Sequence, residues 1–294
     1  MMQSGIINVL KPPGMTSHDV VAFIRRLYSI KRVGHAGTLD PAAAGILPVF
    51  IGNATRLVEY LTDADKSYRA ELTFGLETDT GDDTGQIINR RSYNKPSASQ
   101  IKEVLTSFIG ATEQIPPMYS AIKVGGKKLY ELARAGQTVE RKPRKIMIDN
   151  IALVTEYETG IVFDVTCSKG TYIRTLCADI GYKLNCLAVM SFLVRTRVGS
   201  FSLEQSLTLE EILANKEQAV QSADSVLTHV PAIVLSEQES QAVKNGRTIC
   251  CEKSGADLVK IYDYQNNFIG IGREIYQAEG HATLTPVKIL SPDR

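Results

Sequence analysis

Long apolar runs are missing from this 294-residue chain, and no stretch approaches the roughly 20 residues that a bilayer-spanning helix needs. The N-terminus also lacks the charged region and apolar stretch of a signal peptide. These absences predict a soluble, cytoplasmic protein without a membrane partner.

Cysteine pairs are missing as well. The five cysteines are odd in number and include no Cys-x-x-Cys pair. We therefore expect neither a disulfide framework nor a zinc site. Mainly apolar surroundings predict reduced and buried side chains at Cys167, Cys177, Cys186, Cys250 and Cys251.

Several common catalytic motifs do not occur. There is no Walker A run, and Gly34, Gly37 and Gly45 lack the Gly-x-Gly-x-x-Gly spacing of a dinucleotide-binding fold. The four histidines form no His-x-x-x-His pair, and no Gly-x-Ser-x-Gly elbow is found. The sequence therefore gives no support for a nucleotide cofactor, metal-dependent hydrolysis or serine-hydrolase chemistry.

The composition is that of a globular protein, with 44% hydrophobic and 22% charged residues. The net charge of +1 hides an uneven distribution. Residues 123–145 carry eight basic side chains against Glu131 and Glu140, whereas residues 71–83 carry five acidic ones and no basic one. Taken alone, the basic segment fits a nucleic-acid-binding face and an ordinary solvated surface equally well.

Hydrophobic periodicity and capping residues predict a mixed α/β organisation. Strands are expected at residues 5–10, 68–74 and 161–167, and helices from Thr16 or Ser17, over residues 97–108, and after Thr171. The acidic loop at residues 77–85 is expected to be exposed. A polar stretch predicts a domain boundary between residues 213 and 231, which gives domains at 1–225 and 231–294.

The run from Gly34 to Pro41 presents one carboxylate, Asp40, between glycine and proline. Glycines let a backbone approach a ligand closely, and Pro41 biases Asp40 towards an extended conformation. Such a loop suits a catalytic site. Local sequence alone favours an ordinary turn, because Gly, Asp and Pro are the usual turn formers.

Five motifs, in order, resolve this ambiguity. They occupy residues 8–17, 34–41, 65–68, 116–123 and 168–174 (NVLKPPGMTS, GHAGTLDP, DKSY, PPMYSAIK and SKGTYIR). With them, residues 4–200 resemble bacterial tRNA pseudouridine synthases of the TruB type. The last 60 residues resemble, more weakly, a PUA domain, a small β-rich RNA-binding module. The resemblance implies an α+β fold, with a mainly antiparallel sheet crossed by helices and a small C-terminal β-rich domain.

The resemblance also implies site residues. Asp40 matches the catalytic aspartate, Arg174 the arginine that pairs with it, and Tyr68 the active-site tyrosine. Conversion of uridine to pseudouridine moves C1′ from N1 to C5 without redox change, so a carboxylate and a proton acceptor suffice without cofactor or metal. The alternatives are a phosphate contact or surface role for Arg174 and a core position for Tyr68.

Further positions follow from the same resemblance. His35 matches the histidine that fills the space of the flipped nucleotide, and Tyr172 and Leu193 match pocket residues; a loop histidine bonded to its own backbone is the alternative for His35. Structural or RNA-facing roles are expected for four basic residues, namely Lys11, Lys123, Arg195 and Arg197. Residues 114–145, called the thumb below, correspond to a mobile RNA-covering segment.

The implied activity is isomerisation of uridine 55 in the T loop of tRNA, by a monomer that flips its target base and contacts the T arm. One alternative is a tRNA-binding or tRNA-folding protein with secondary or lost catalysis. Another is a synthase that depends on a guide RNA. The joint presence of Asp40, Tyr68 and Arg174 argues against the first, and the basic thumb favours direct RNA recognition over the second.

Overall fold

Two β-sheets organise the chain, one of nine strands and one of five. The computed structural model describes residues 4–252, 255–276 and 281–290. The strands are β1 (Gly5–Lys11), β2 (Val33–His35), β3 (Ala44–Ile51), β4 (Lys66–Phe74), β5 (Leu76–Thr78), β6 (Ile87–Arg90), β7 (Gly110–Gln114), β8 (Lys123–Val124), β9 (Lys127–Lys128), β10 (Arg144–Glu156), β11 (Gly160–Cys167), β12 (Ala188–Val198), β13 (Phe201–Ser202), β14 (Ala232–Val234), β15 (Ile249–Glu252), β16 (Leu258–Tyr262), β17 (Phe268–Tyr276) and β18 (His281–Ile289). The helices are α1 (Ser17–Tyr28), α2 (Val58–Thr62), α3 (Ala98–Thr106), α4 (Leu129–Arg134), α5 (Ile173–Lys183), α6 (Leu209–Ala214) and α7 (Glu237–Lys244).

The larger sheet has the strand order β1-β3-β12-β4-β11-β10-β7, with β2 on β3 and β13 on β12. Neighbouring strands are antiparallel except β3 and β12, which run parallel where Ala44 and Gly45 pair with Val194 and Arg195. Gly45 has φ +114°, and a Cβ there would lie 2.3 Å from the Arg195 carbonyl oxygen. This position therefore requires glycine, and it fixes the loop before β3 against β12.

The predicted helix starts are confirmed by their caps. Thr16 caps α1 in a capping box with Asp19, and Ser97 caps α3 in a capping box with Gln100. In each box the N-cap side chain accepts from a backbone N–H that has no partner inside the helix, which fixes where the helix begins. A capping box of Ser236 with Glu239 likewise starts α7.

Alternating side chains build the main core. In β4 the side chains of Tyr68, Ala70, Leu72 and Phe74 are buried, whereas the residues between them are exposed or half-buried. This is the predicted alternation of a strand with one face towards the core. Helices α3 and α5 cover this face with buried apolar side chains, including Leu105 and Leu176 in one cluster with the strand residues.

The acidic loop at residues 77–85 has its expected exposure only in part: Glu77, Asp79, Asp83 and Thr84 are exposed, as predicted. Asp82 and Thr78 are buried, with 9% and 7% of their surface exposed. The Thr78 hydroxyl donates to the Asp82 carbonyl at 2.6 Å, and the Asp82 carboxylate accepts three hydrogen bonds from Thr80 and Thr84. Charge alone predicted a solvated loop, but these local hydrogen bonds replace the water that a buried carboxylate loses.

The cysteine prediction is wrong in part. All five thiols are free, and Cys167, Cys177 and Cys186 are buried as expected. Cys250 is exposed and Cys251 only half-buried. Both lie on β15 at the edge of the smaller sheet, where adjacent side chains point to opposite faces, and the face that carries Cys250 meets solvent.

The thumb leaves the larger sheet at the end of β7 and returns at β10. It carries the β8–β9 hairpin and the short helix α4, which buries Leu129 and Leu132. The hairpin forms a two-stranded sheet that is separate from the nine-stranded one.

The five-stranded C-terminal sheet has the order β14-β16-β17-β18-β15. It packs against the first part of the chain: the Tyr262 hydroxyl donates to the Asp224 carboxylate at 2.5 Å, and Lys288 Nζ donates to the Arg56 carbonyl at 2.7 Å. None of the helices in the described residues combines the length and apolar character needed to cross a membrane.

Candidate active site

The loop that carries Asp40 is fastened by hydrogen bonds to its backbone. The Ser17 hydroxyl accepts from the Leu39 N–H at 2.9 Å and donates to the Leu39 carbonyl at 3.2 Å. The Pro41 carbonyl accepts from the Gly14 N–H at 2.8 Å. The residues on both sides of Asp40 are thus held, which fixes the backbone position from which its side chain extends.

Lys11 holds the same loop from below. Its side chain is fully buried, and its ammonium donates to the carbonyls of Pro12, Met15 and Pro41 at 2.9, 2.7 and 3.2 Å. Burial lowers the pKa of Lys11 to about 8. Of the two roles expected for Lys11, structural or RNA-facing, these contacts support the structural one.

Arg195 is also interior, with 1% of its surface exposed. It donates from Nε to the Ile46 carbonyl at 2.9 Å and from Nη2 to the Gly37 carbonyl at 3.1 Å. Burial lowers its pKa, against the opposing effect of Tyr68. Arg197, two residues on, donates to the Ser67 hydroxyl at 3.1 Å. Both arginines therefore tie β12 to neighbouring backbone or strands.

Arg174 lies in the first turn of α5 and pairs with Asp40. Its Nε is 3.0 Å from Asp40 Oδ2, and 3.9 Å from an Asp82 oxygen. Its two terminal nitrogens donate to the carbonyls of Thr80 at 2.9 Å and Tyr119 at 2.7 Å. All three nitrogens are used, so the guanidinium is held rigidly at the carboxylate.

Burial and the neighbouring charges act in opposite directions on the pKa of Asp40. Burial raises its pKa, the Arg174 guanidinium lowers it, and the Asp82 carboxylate raises it again, with a smaller lowering by Lys11. The pKa of Asp40 therefore lies above its ordinary value. A raised pKa next to a fixed cation is typical of a functional carboxylate.

Tyr68 and Leu193 form an apolar wall beside this pair. Both are buried in the cluster that contains Leu39 and Ile173, the neighbours of the ion pair in sequence. Tyr68 is the register partner of Arg195 on β12. Burial raises the pKa of Tyr68, more than Arg195 lowers it, so its hydroxyl stays protonated.

His35 and Tyr172 lie at the ends of elements around the same loop. His35 ends β2 and is half-buried, and burial lowers its pKa, which favours the neutral imidazole. Tyr172 is the N-cap residue of α5, and its N–H donates to the Gln114 side chain at 2.8 Å. Lys123 lies apart from these residues, exposed on the β8–β9 hairpin.

Among the residues that the structure describes, no three His, Cys, Asp or Glu side chains cluster as a metal site would require. Three further residues contact the site and were not predicted as site residues: Asp82, Ser17 and Gln114. Their contacts reach 92, 22 and 58 residues along the chain, beyond the range of any local pattern.

Models of known families match the chain in three successive segments. They are the N-terminal domain of the TruB family pseudouridylate synthases at residues 25–173, the tRNA pseudouridylate synthase B C-terminal domain at 174–233, and the pseudouridine synthase II TruB C-terminal domain at 231–283. The chain belongs to the TruB family. Its members are pseudouridylate synthases, so the chain is an isomerase that acts on uridine in RNA.

Curated relatives within the TruB family carry the name tRNA pseudouridine synthase B. The protein from Alkaliphilus oremlandii is 51% identical, over 84% of this chain and 83% of the relative. That from Caldanaerobacter subterraneus is 49% identical over 92% and 95%, and that from Bacillus subtilis 46% over 83% of each.

Solved structures confirm the fold expected for a TruB family member. A Cbf5-Nop10-Gar1 complex contains a chain with a TM-score of 0.75 and 28% identity, over 99% of this chain and 86% of that one. An H/ACA RNP bound to a substrate RNA gives 0.74 and 26%, over the same shares. The α+β class, the mainly antiparallel sheet and the C-terminal β-rich domain are thereby confirmed.

Proposed function

We propose that this TruB family member converts uridine 55 in the T loop of tRNA to pseudouridine, with Asp40 as the catalytic carboxylate. The observation that carries the proposal is the Arg174–Asp40 ion pair. Its guanidinium is 7% exposed, while 37% of the aspartate side chain remains open to a ligand. A pair with one accessible member is suited to act on a bound substrate.

The chemistry needs an ionised carboxylate close to the ribose of the target. The N1–C1′ bond breaks, a C5–C1′ bond forms, and the C5 proton leaves, with no redox change. Arg174 opposes the rise in pKa that burial gives Asp40, and so favours the ionised form of the carboxylate. Tyr68 contributes an aromatic face for the extruded base and a hydroxyl near C5.

A tRNA substrate is supported by the relatives' name and by the exposed cations of the thumb. These are Lys123, Lys127, Arg134, Lys142, Arg144 and Lys145. Lysine and arginine side chains on such a surface bind phosphates and position the RNA without reading its sequence. We propose a PUA-like role in RNA binding for the five-stranded sheet, within a cytoplasmic monomer that needs no metal or cofactor.

The deciding experiment measures tritium release from a T-arm RNA hairpin labelled at uridine C5, with every cofactor omitted. We expect release by the unaltered protein and a loss of about 10³-fold or more in Asp40→Asn, which keeps the side-chain size but removes the charge. Asp149→Asn, an exposed aspartate on β10, is the matched control and should retain full activity.

RNA affinity is measured in parallel on the same hairpin. Asp40→Asn should bind the RNA as tightly as the unaltered protein, because phosphate contacts dominate affinity. Tight binding without release from the unaltered protein would overturn the proposal in favour of a tRNA-binding or tRNA-folding role.

A further inference from the structure

The Gln114 carboxamide binds both polar groups of one backbone residue. Gln114 ends β7 and is 4% exposed. Its Oε1 accepts from the Tyr172 N–H at 2.8 Å, and its Nε2 donates to the Tyr172 carbonyl at 3.1 Å. A carboxamide is suited to this pairing, because it offers an acceptor and a donor side by side.

Tyr172 determines where α5 begins. It is the N-cap residue of that helix, and its carbonyl also accepts from the Leu176 N–H at 3.0 Å, the first bond of the helix. Arg174 follows two residues later, in the first turn. The direction of a first-turn side chain depends on where the helix starts, so the Gln114 contact sets the position of the Arg174 guanidinium.

Gln114 is also the residue at which the thumb leaves the sheet. It pairs with Arg144 in the last β7–β10 rung. The other stem of the thumb is tied to the segment before α5 by Met147, whose N–H donates to the Ser168 hydroxyl and whose carbonyl accepts from the Ser168 N–H, both at 2.9 Å. Both stems are therefore bound to the segment that leads to Arg174.

We propose that Gln114 is a positioning residue for the isomerisation proposed above, coupling the base of the thumb to the Arg174 guanidinium through the Tyr172 backbone. Arg174 itself donates to the Tyr119 carbonyl within the thumb at 2.7 Å, so the thumb meets it from two sides. A shift of the thumb base on RNA binding then changes how Arg174 meets Asp40. The catalytic meaning of this coupling rests on the proposed function.

The first test replaces the carboxamide by a side chain of similar length without hydrogen bonds. In Gln114→Met we expect single-turnover tritium release to fall about 10- to 100-fold, because a small displacement of Arg174 misplaces its charge. RNA affinity should stay within about twofold, since no phosphate contact is removed. Gln100→Met is the control: that glutamine also accepts from a backbone N–H, at 2.9 Å from Ser97, on the exposed start of α3.

The second test separates positioning from a loss of stability and needs no RNA. The Asp40 carboxyl is titrated by NMR on protein labelled with ¹³C at aspartate, with Asp40→Asn to assign the signal. The charged and titratable groups that face Asp40 are Arg174, Asp82, Lys11 and Tyr68. If Gln114→Met displaces Arg174, the pKa of Asp40 rises further, because the effect that lowers it most is weakened.

The proposal would be overturned if Gln114→Met showed the same Asp40 titration and the same release rate as Gln100→Met. It would also be overturned if weaker RNA binding explained the whole loss of rate in Gln114→Met. Gln114→Asn is the second variant if Gln114→Met does not fold. It keeps an uncharged carboxamide on a side chain one methylene shorter, so we expect weaker contacts with Tyr172 and a smaller displacement of the titration in the same direction. Absence of release from the unaltered protein would reject the proposed function, while the titration would still decide the coupling.

Discussion

Arg174 and Asp40 form an ion pair of unequal exposure, with 7% of the arginine and 37% of the aspartate side chain open to solvent. The guanidinium is fixed in advance by two carbonyls, from Thr80 and Tyr119. A ligand that reaches Asp40 therefore finds the guanidinium of Arg174 already held in position beside the carboxylate. Such preorganisation avoids the cost of reorienting polar groups during the reaction.

The first prediction concerns the pH dependence of turnover. In the proposed reaction Asp40 acts in its ionised form, and its pKa is raised by burial and by Asp82, more than Arg174 lowers it. Activity should therefore fall with decreasing pH at values above the ordinary aspartate pKa of about 3.9. Single-turnover rates on the labelled hairpin, measured between about pH 4 and 8, check this. A rate that stays constant down to about pH 4 would contradict it.

The second prediction concerns Ser17, whose hydroxyl bonds both the N–H and the carbonyl of Leu39. In Ser17→Ala these buried groups lose their partner, and we expect a stability loss of about 1–3 kcal/mol. Turnover should fall as well, because Leu39 precedes Asp40. Urea unfolding and tritium release measure the two effects. Ser99→Ala, on the exposed face of α3, should change neither.

The third prediction concerns Lys11, whose buried ammonium serves three carbonyls. Lys11→Met leaves these acceptors unpaired, and we expect a loss of about 1–3 kcal/mol in the free energy of unfolding. The folded pKa of about 8 lies below the ordinary value of 10.5. The folded state therefore binds fewer protons between these values, and the Lys11 contribution to stability should increase as pH rises from 8 to 10.5.

The measurement for Lys11 is the stability difference between the unaltered protein and Lys11→Met across that pH range. A difference independent of pH would show that Lys11 titrates normally in the folded protein. Lys102→Met, on the exposed face of α3, is the matched control and should leave stability nearly unchanged at every pH.

The fourth prediction concerns the thumb. Replacing Lys123, Lys127, Lys142 and Arg144 together by glutamine should weaken RNA binding and flatten its dependence on salt, by about one unit of slope for each lost phosphate contact. Arg141 is left out of this set, because its Nη1 donates to the Pro116 carbonyl at 3.2 Å within the thumb. Affinities over a salt series measure the effect, and an unchanged slope would exclude the thumb as a phosphate-binding surface.

Local signals in the sequence predicted the elements well. Thr16 and Ser97 cap their helices where the sequence predicted the helix starts, because a cap is a contact between residues three apart. Asp40 was a candidate from its own loop, but its pairing with Arg174 came from the resemblance to a family, since nothing in a spacing of more than 100 residues predicts contact.

What the sequence did not reveal depends on tertiary hydrogen bonds. Asp82 was expected on an exposed acidic loop and is instead buried beside Arg174. Nothing in the sequence around Gln114 distinguishes it from an ordinary polar residue, because its hydrogen-bond partner Tyr172 lies 58 residues away. Such contacts arise only when the sheet brings distant segments together, so no periodicity or capping pattern records them.

The packing of the C-terminal sheet has a consequence for dividing this protein. Ile271 is fully buried in one cluster with Ile6 and Phe50 from the nine-stranded sheet, and Phe268 packs against the same cluster. A cut between residues 225 and 231 would expose this apolar surface on both fragments. The C-terminal part thus covers apolar side chains of the nine-stranded sheet. Each separated fragment would expose an apolar patch, and such patches promote aggregation.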